Sequence, residues 1–232
     1  MRVALICERL ESAPAETALA FLDEAHRNAA LGDPDAQLVF LAVGWALFDS
    51  RVESLRPELG AQARRLELHH VADFVTPPIA EDEPEKNDRR IPDFGRGRPL
   101  TLGERKSLAR TGDRALIQRA VRDPHPDVIR ILLDNPTLTE PDVVRVCAAR
   151  PNDPNVLQTV YRHRRWVVRY RPRNAILRNP DTQLDTALLL APLLHKSELK
   201  EAATSSELAA PLRLSCKAIL ALRSASAETS AL

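Results

Sequence analysis

In this chain of 232 residues, the segment from residue 144 to residue 178 is rich in arginine and gives the strongest local signal for binding an anionic partner. It contains nine arginines and a single acidic residue, Asp153. Each guanidinium group offers five N–H donors in a planar fork, so neighbouring arginines repel one another unless carboxylates or phosphates lie opposite them. If residues 159–178 form a continuous helix, four arginines fall 3, 4 and 4 positions apart and make one stripe about 16 Å long. They are Arg162, Arg165, Arg169 and Arg173.

Three kinds of partner could neutralise this stripe: an acidic surface of another protein, the phosphates of a nucleic acid, or the acidic N-terminal part of the same chain. Trp166 and Tyr170 lie beside the stripe and could stack on bases or on the arginine planes. A simpler interpretation is also open, in which both aromatic rings pack between helices and the arginines form a solvated outer face. The candidate binding residues are Arg162, Arg164, Arg165, Trp166, Arg169, Tyr170 and Arg173.

Other residue patterns give no support to catalysis. The histidines do not have the spacing of metal ligands, and the adjacent pair His69 and His70 must point to different faces of a helix. Neither a nucleophile elbow, nor a phosphate-binding loop, nor a zincin motif occurs. The three cysteines, at 7, 147 and 216, are too far apart to ligate a metal and fit buried thiols in a reducing compartment. We therefore expect no enzyme activity, no metal and no cofactor.

The two ends of the chain carry opposite charge, although the formal total is only +1. Residues 1–75 have 7 Lys+Arg and 12 Asp+Glu, whereas residues 101–232 have 21 and 14. This division is typical of halves that dock on each other or of a basic partner-binding face. No uncharged apolar run reaches 18 residues, and Glu8 and Arg9 interrupt the first apolar residues too early for a signal peptide. We expect a cytoplasmic protein that does not bind membranes.

The elements that must position these side chains are predicted to be helices. With 44% hydrophobic residues the chain can bury a core, and only 7 glycines argue against a turn-dense barrel or sandwich. Apolar spacing predicts a helix over 14–31 that ends at Gly32, and Asp33-Pro34 is typical of the start of the next one. Residues 34–48 are apolar on nearly every side, which favours a central helix but leaves a buried strand open. A third helix over 50–72, interrupted near Pro57, completes a helical N-terminal unit over 1–75.

A proline-rich segment over 76–100 separates this unit from the rest of the chain. It contains five prolines and the charged run 81–86, a composition in which no helix or strand persists. Ile91 and Phe94 could dock on a neighbouring surface, although a plain flexible linker is the simpler interpretation. The last residues, 223–232, are expected to form a flexible tail.

Beyond residue 100 the chain repeats itself. Asn135-Pro136 recurs as Asn179-Pro180, 44 positions later, and each pair predicts a helix end and a tight corner. The threonines that follow are predicted N-caps of the next helices, each with an aspartate three residues on in the capping-box position. These pairs are Thr139 with Asp142 and Thr182 with Asp185. Together with Thr101-x-x-Glu104 and Asp-Pro pairs at 123 and 153, they predict helices starting near 102, 113, 125, 140, 154, 166, 183, 198 and 211.

Two of these segments, 123–136 and 168–180, resemble the leucine-rich repeat variant, a relative in shape of HEAT and armadillo arrays. The pattern of that family runs Asp-Pro, then Val-Arg, then an apolar pair, then Asn-Pro, and the match covers roughly residues 101–220. The resemblance implies a right-handed superhelix of paired short helices. Pro172 departs from it by standing where a β-branched residue is expected, and the cysteine cluster that holds an iron–sulfur centre in some relatives is absent.

The sequence thus predicts an all-α protein with a small helical N-terminal unit followed by a short-helix α-solenoid, HEAT-like or of the leucine-rich repeat variant, over 101–222. The predicted function is that of a non-enzymatic scaffold or adapter for protein–protein interaction. The alternative is nucleic-acid binding, most naturally of DNA, through an arginine-rich surface of the repeats. A fold of this kind implies shape and leaves function open.

Overall fold

The computed structural model describes residues 2–77, 91–94 and 97–229. Within these ranges the chain forms sixteen α-helices and one short 3-10 helix, with no strand, so the all-α prediction is confirmed. The first helices are α1 (Arg2–Ser12), α2 (Ala15–Leu31), α3 (Pro34–Leu47), α4 (Ser50–Glu53), α5 (Arg56–Arg65) and α6 (His69–Val75). The next are α7 (Leu102–Leu108), α8 (Arg114–Ala120), α9 (Pro126–Leu133), α10 (Glu140–Ala148), α11 (Pro154–Arg162), α12 (Arg164–Val167) and α13 (Tyr170–Leu177). The last are α14 (Leu184–Leu190), the 3-10 helix Ala191–Leu193, α15 (Lys196–Thr204) and α16 (Ala210–Thr229). No described helix combines the length and apolar character needed to cross a membrane.

The helices form two compact units, and the sequence of one unit is inserted within the sequence of the other. The split unit comprises Met1–Ala80 together with Leu184–Leu232, and the middle unit comprises Glu81–Gln183. The sequence predicted one solenoid over 101–222, but helices α14, α15 and α16 belong with the N-terminal helices instead. Their apolar faces explain this grouping, because α14 is buried along its whole length and contacts α3 and α6, while α16 contacts α2. A terminal repeat exposed to solvent would not carry such a face.

In the split unit, local capping chemistry sets the helix bounds close to their predicted positions. Gly32 ends α2 in the left-handed conformation, at φ 97°, which costs glycine nothing because it lacks a Cβ atom. The Asp33 carboxylate then accepts a hydrogen bond from the Ala36 amide at 2.9 Å and begins α3. The question left open for 34–48 is thereby resolved, since this segment is a central helix. The predicted helix over 50–72 is in fact three shorter ones, α4, α5 and α6.

The C-terminal helices of the split unit are tied to the N-terminal ones by specific hydrogen bonds. Arg223, on α16, donates to the carbonyl oxygens of Ala30, Leu194 and Pro192. The Gln37 side chain, on α3, also donates to the Pro192 oxygen at 3.2 Å. Because α16 extends to Thr229, the prediction of a flexible tail from residue 223 is wrong for residues 223–229, and 230–232 lie outside the described residues.

In the middle unit, the two Asn-Pro corners make the same hydrogen bonds. The Asn135 amide donates to the carbonyl oxygens of Ala109 and Thr111, at the end of α7, at 2.9 and 2.8 Å. The Asn179 amide donates to the corresponding oxygens of Cys147 and Ala149, at the end of α10, at 2.7 and 2.9 Å. Each asparagine oxygen also accepts from the backbone amide two residues later. The two Asn-Pro corners, after α9 and after α13, therefore share one hydrogen-bond pattern.

Most of the predicted caps of the middle unit are present. Glu104 accepts from the Thr101 amide at 2.9 Å, and Asp142 accepts from the Thr139 amide at 3.0 Å, as in a capping box. Thr182 is different, because its hydroxyl donates to the Ile176 carbonyl at 2.6 Å instead of capping α14. Asp123 does not cap a helix either, since α9 begins only at Pro126. Its carboxylate is buried and pairs with Arg105 at 2.6 and 2.7 Å. It also accepts a hydrogen bond from the His125 amide at 3.0 Å.

The predicted linker can be described only in part. Residues 91–94 and 97–100 form no helix, and Phe94 is buried while Ile91 is exposed. Phe94 belongs to the middle unit, and docking of this segment on a neighbouring surface stays a prediction. The charged run 81–86 lies outside the described residues.

Candidate arginine-rich interface

The segment that carries the predicted stripe is not one helix. Helix α11 ends at Arg162, α12 covers only Arg164–Val167, and α13 begins at Tyr170. Pro172 explains the second break, because in a continuous helix its ring would clash with the carbonyl of residue 168 and its missing N–H would leave that carbonyl unbonded. His163 is extended, at φ −84° and ψ 104°, and makes the first break. The expected straight stripe of four arginines is therefore wrong, although the same arginines remain neighbours in sequence.

Three side chains of this segment bind the C-terminal end of α9. The indole N–H of Trp166 donates to the Leu133 carbonyl at 2.8 Å, and Nε2 of His163 lies 3.1 Å from the Asp134 carboxylate. Arg165 makes a longer contact, 3.5 Å, with the carbonyl of Asn135. The last carbonyls of a helix lack intrahelical partners and carry partial negative charge, so donors and cations stabilise them. Residues 163–166 thus close the end of α9, a role that no sequence motif announces.

Trp166 is a support for arginines rather than an exposed ring. Its side chain is 1% exposed. The guanidinium carbons of Arg165 and Arg169 lie 4.4 and 5.3 Å from its ring centroid, within cation–π distance. Arg169 also pairs with Glu140 on α10 at 2.9 Å. A partner would meet the guanidinium groups and not the indole, so of the two interpretations of Trp166 the packing one agrees with its burial.

Tyr170 and Arg173 lie deeper than the sequence suggested. Both are half-buried, and the Arg173 guanidinium lies 5.8 Å from the Tyr170 ring. Burial lowers the pKa of Arg173 below its ordinary value. The exposed arginines between residues 162 and 171 form the group that we call the arginine surface. It consists of Arg162, Arg164, Arg165, Arg169 and Arg171.

A second group of arginines lines a cleft of the middle unit that sequence spacing did not reveal. Arg122, Arg145 and Arg150 line a cavity of 760 Å³ beside Gln118. Arg145 donates to the Gln118 side-chain oxygen at 2.7 Å, and Arg150 donates to the carbonyl of Arg178 at 2.7 Å. Arg122 follows α8, Arg145 lies on α10 and Arg150 lies in the loop after α10, so only the packing of these helices brings them together. We call this group the arginine cleft.

Asp142 holds the wall of this cleft in place. Its buried carboxylate accepts from Arg114 at 2.7 Å, from Gln118 at 2.8 Å and from the amide and hydroxyl of Thr139. Burial alone would raise the pKa of Asp142, but the hydrogen bonds from Arg114, Thr139 and Gln118 outweigh it and hold the pKa below its ordinary value. Asp142 is therefore an anion at neutral pH, and its negative charge is already neutralised by the protein.

The histidines, carboxylates and cysteines of the described residues are the side chains that could support two further chemistries, metal binding and thiol reactivity. Among these residues no group of three His, Cys, Asp or Glu side chains is placed to hold a metal ion. Cys7, Cys147 and Cys216 are all buried, and burial raises the pKa of Cys147 and raises that of Cys216 to about 12. Such thiols are protonated at neutral pH and are poor nucleophiles.

Comparison with models of protein families, with curated proteins and with solved structures gave no match. The resemblance to the leucine-rich repeat variant therefore stays a prediction from the sequence pattern, and the fold of each unit is described by its own helices.

Proposed function

We propose that this chain is a non-enzymatic binding protein that uses the arginine surface to hold a protein with an acidic surface. The observation that carries the proposal is that five exposed arginines lie within ten consecutive residues, from 162 to 171, on a rigid support. Trp166 fixes that support to α9, and the Arg169–Glu140 ion pair fixes it to α10. Pre-organised side chains lose less conformational entropy when a partner binds.

The excess positive charge of the chain lies in the part of the sequence that carries the arginine surface. Residues 101–183 contain 16 Lys+Arg and 9 Asp+Glu, whereas residues 184–232 contain 5 of each. The excess positive charge of the C-terminal half of the sequence thus belongs entirely to the middle unit. A surface of this sign attracts acidic partners and accelerates their association.

The neighbours of the arginines favour a protein over a nucleic acid. Val168 lies among them and is 45% exposed, and an apolar contact beside arginines is typical of protein interfaces. The Asp134 side chain, 77% exposed, stands at the edge of the same surface and would repel phosphates. Trp166 is buried and cannot stack on bases, which removes one reason to expect single-stranded nucleic acid.

The arginine cleft is the specific observation in favour of the second candidate, nucleic-acid binding. Three arginines converge on one cavity of 760 Å³ there, and such a cavity suits a phosphate group. Substitutions can separate this candidate from the first one, because the arginine cleft and the arginine surface share no residue.

Fluorescence anisotropy with two labelled probes tests these candidates: an acidic peptide with interspersed leucines and a duplex DNA of similar mass. We expect the peptide to bind and the double variant Arg165→Glu, Arg171→Glu to weaken it by about tenfold or more, because the change reverses two charges at the contact. The matched control is Arg110→Glu, Arg119→Glu, which alters the net charge equally at exposed positions outside both groups. An equal effect of the two double variants would contradict a localised site.

Two other outcomes would redirect the proposal. DNA binding that falls steeply with salt and is lost in Arg122→Glu, Arg150→Glu would favour the nucleic-acid candidate. Faster proteolysis within 76–100 in Arg165→Glu, Arg171→Glu, with no change in probe binding, would favour docking on the acidic N-terminal part of the same chain.

We also propose that the repeats of the middle unit belong to the helical-repeat class that the sequence pattern suggests. The matching hydrogen bonds of Asn135 and Asn179 support this, because two consecutive repeats of one class should close their corners in the same way. Helical repeats of this class commonly serve as adapters, which agrees with a scaffold function.

A further inference from the structure

The split unit contains a cavity that the arginine-based proposal does not use. Its volume is 570 Å³, within the range of sites for small molecules. Helix α16 supplies one apolar wall, which includes Leu214, Ala218 and Leu222. Leu214 is among the most exposed large apolar side chains of the described residues, at 63%. This wall therefore presents apolar surface that a ligand could remove from water.

The opposite side of the cavity is polar and contains two carboxylates from neighbouring helices. Asp23, on α2, accepts from Arg27 at 3.1 Å and lies 2.7 Å from Nε2 of His70. Asp73, on α6, lines the same cavity, and no described group donates a hydrogen bond to its carboxylate or pairs with it. One carboxylate is thus already neutralised and the other is not.

Two rings also line the cavity, of which His26 is half-buried and Phe74 is buried. The rings of His26 and Phe74 are nearly parallel, at 19°, with centroids 5.8 Å apart, and both line the cavity. The Phe40 ring is nearly perpendicular to both, at 74° and 88°, with centroid distances of 5.5 and 5.6 Å. Burial, aided by the charge of His70, lowers the pKa of His26 to about 4, so at neutral pH this ring adds no positive charge. An uncharged His26 ring does not repel a cation, so it permits one in this cavity.

We propose that this cavity binds an organic cation with an apolar body, such as a primary amine on an alkyl or aryl chain. The ammonium group pairs with Asp73 in a cavity that the uncharged His26 ring also lines, and the body covers Leu214, Ala218 and Leu222. An anionic ligand is disfavoured because the one arginine that lines the cavity, Arg27, is already paired with Asp23. A neutral apolar ligand is disfavoured because it would cover the Asp73 carboxylate without pairing it, which costs free energy.

Isothermal titration calorimetry of the full chain at neutral pH with three probes of one shape tests this site. The probes are 4-phenylbutylamine, 4-phenylbutan-1-ol and 4-phenylbutyrate, which share the apolar body and differ in the charge of the head. We expect the amine to bind with a Kd about tenfold lower than that of the alcohol, and the carboxylate to bind most weakly, as a single partly exposed ion pair predicts.

Three variants make the test specific to the cavity. Asp73→Asn should abolish the advantage of the amine over the alcohol, whereas Asp35→Asn, which removes an exposed carboxylate on α3, should leave it unchanged. Ala218→Phe should fill the cavity from an exposed helix position and abolish binding of all three probes, with the helical circular dichroism spectrum retained. Equal affinity for the three probes, no binding of the amine, or an undiminished amine preference in Asp73→Asn would each overturn the proposal. None of these outcomes bears on the arginine surface.

Discussion

Arg56 and Asp185 lie 129 positions apart in the sequence, yet their side chains form an ion pair with an Nη2–Oδ2 distance of 2.9 Å. Both side chains are only 12% exposed. Arg56 donates in addition to the carbonyl of Val75 at 2.8 Å, and its guanidinium lies 4.9 Å from the ring of Phe48. The pair therefore joins α14, near the C-terminal end of the chain, to three N-terminal elements of the split unit.

Breaking this pair on one side should be more harmful than removing it altogether. We expect Arg56→Met to lower the free energy of unfolding by about 3 kcal/mol, because it leaves a nearly buried carboxylate without its cation. The double variant Arg56→Met, Asp185→Leu should be more stable than the single one. Urea unfolding midpoints of the full chain measure the stability of the single and of the double variant. A double variant that loses as much as the two single variants together would mean that the pair does not act as a unit.

The grouping of the helices predicts which fragments fold. Residues 97–183 should give a cooperative helical melt, because the middle unit contains its own buried core and both Asn-mediated corners. A fragment of residues 101–222 should aggregate or bind a hydrophobic dye, because it removes α14 and α16 from the helices that cover them. Circular dichroism melts and dye fluorescence distinguish the two fragments. A soluble, cooperative 101–222 fragment would favour the single solenoid predicted from sequence.

The helix starts were predictable because short polar side chains announce them locally. Thr101, Asp153 and Asp33 each precede a helix and accept a backbone N–H, as their types and positions predict. Gly32 likewise revealed a helix end. Such signals act within three residues, so they survive whatever the rest of the chain does.

The grouping of helices and the chemistry of the interface were not predictable in the same way. Asp123 resembles a helix N-cap in sequence, but its carboxylate pairs instead with Arg105, 18 positions earlier. Pro172 was visible in the sequence, and its effect on residues 159–178 follows from steric exclusion alone; the regular spacing of the arginines favoured a helix that this proline forbids. The Asp23–His70 contact and the hydrogen bonds of Arg145 and Arg150 in the arginine cleft join residues 27 or more positions apart, which no local pattern specifies.

Gly60 should tolerate no side chain, although it lies inside helix α5. A Cβ atom there would meet Oγ1 of Thr76 at 1.5 Å, so we expect Gly60→Ala to destabilise the split unit by about 1 to 3 kcal/mol despite the better helix propensity of alanine. Gly103→Ala is the matched control, since nothing lies within 4 Å of the corresponding position. Thermal melts should separate the two variants. A Gly60→Ala protein as stable as the parent would mean that Thr76 moves away freely.

His26 should make the stability of the split unit fall as the pH falls. Burial, together with the charge of His70, lowers its folded pKa from 6.5 to about 4, so the unfolded state binds more protons between these values. The stabilising effect is complete above the unfolded pKa of 6.5 and is lost as the pH drops towards 4. From about pH 7 to pH 5 the loss should be about 2 kcal/mol. Urea midpoints of the parent and of His26→Phe, measured against pH, isolate the contribution of His26. If the stability of the two proteins changed in parallel with pH, the loss would not come from His26.

The two repeat asparagines should be equally important, because they perform one structural task twice. Asn135 and Asn179 are both buried, and each amide donates to two carbonyls at the end of an earlier helix. Replacing either by alanine removes the donor and leaves carbonyls that water cannot easily reach, so each change should cost about 2 to 3 kcal/mol. Asn155→Ala is the control, because that residue is exposed and only its backbone amide takes part in a cap. Denaturant midpoints of a 97–183 fragment are the measurement. If only one of the two asparagines proves important, the repeat would be a similarity of corner shape without a shared stabilising role, and the case for a helical-repeat family would weaken with it.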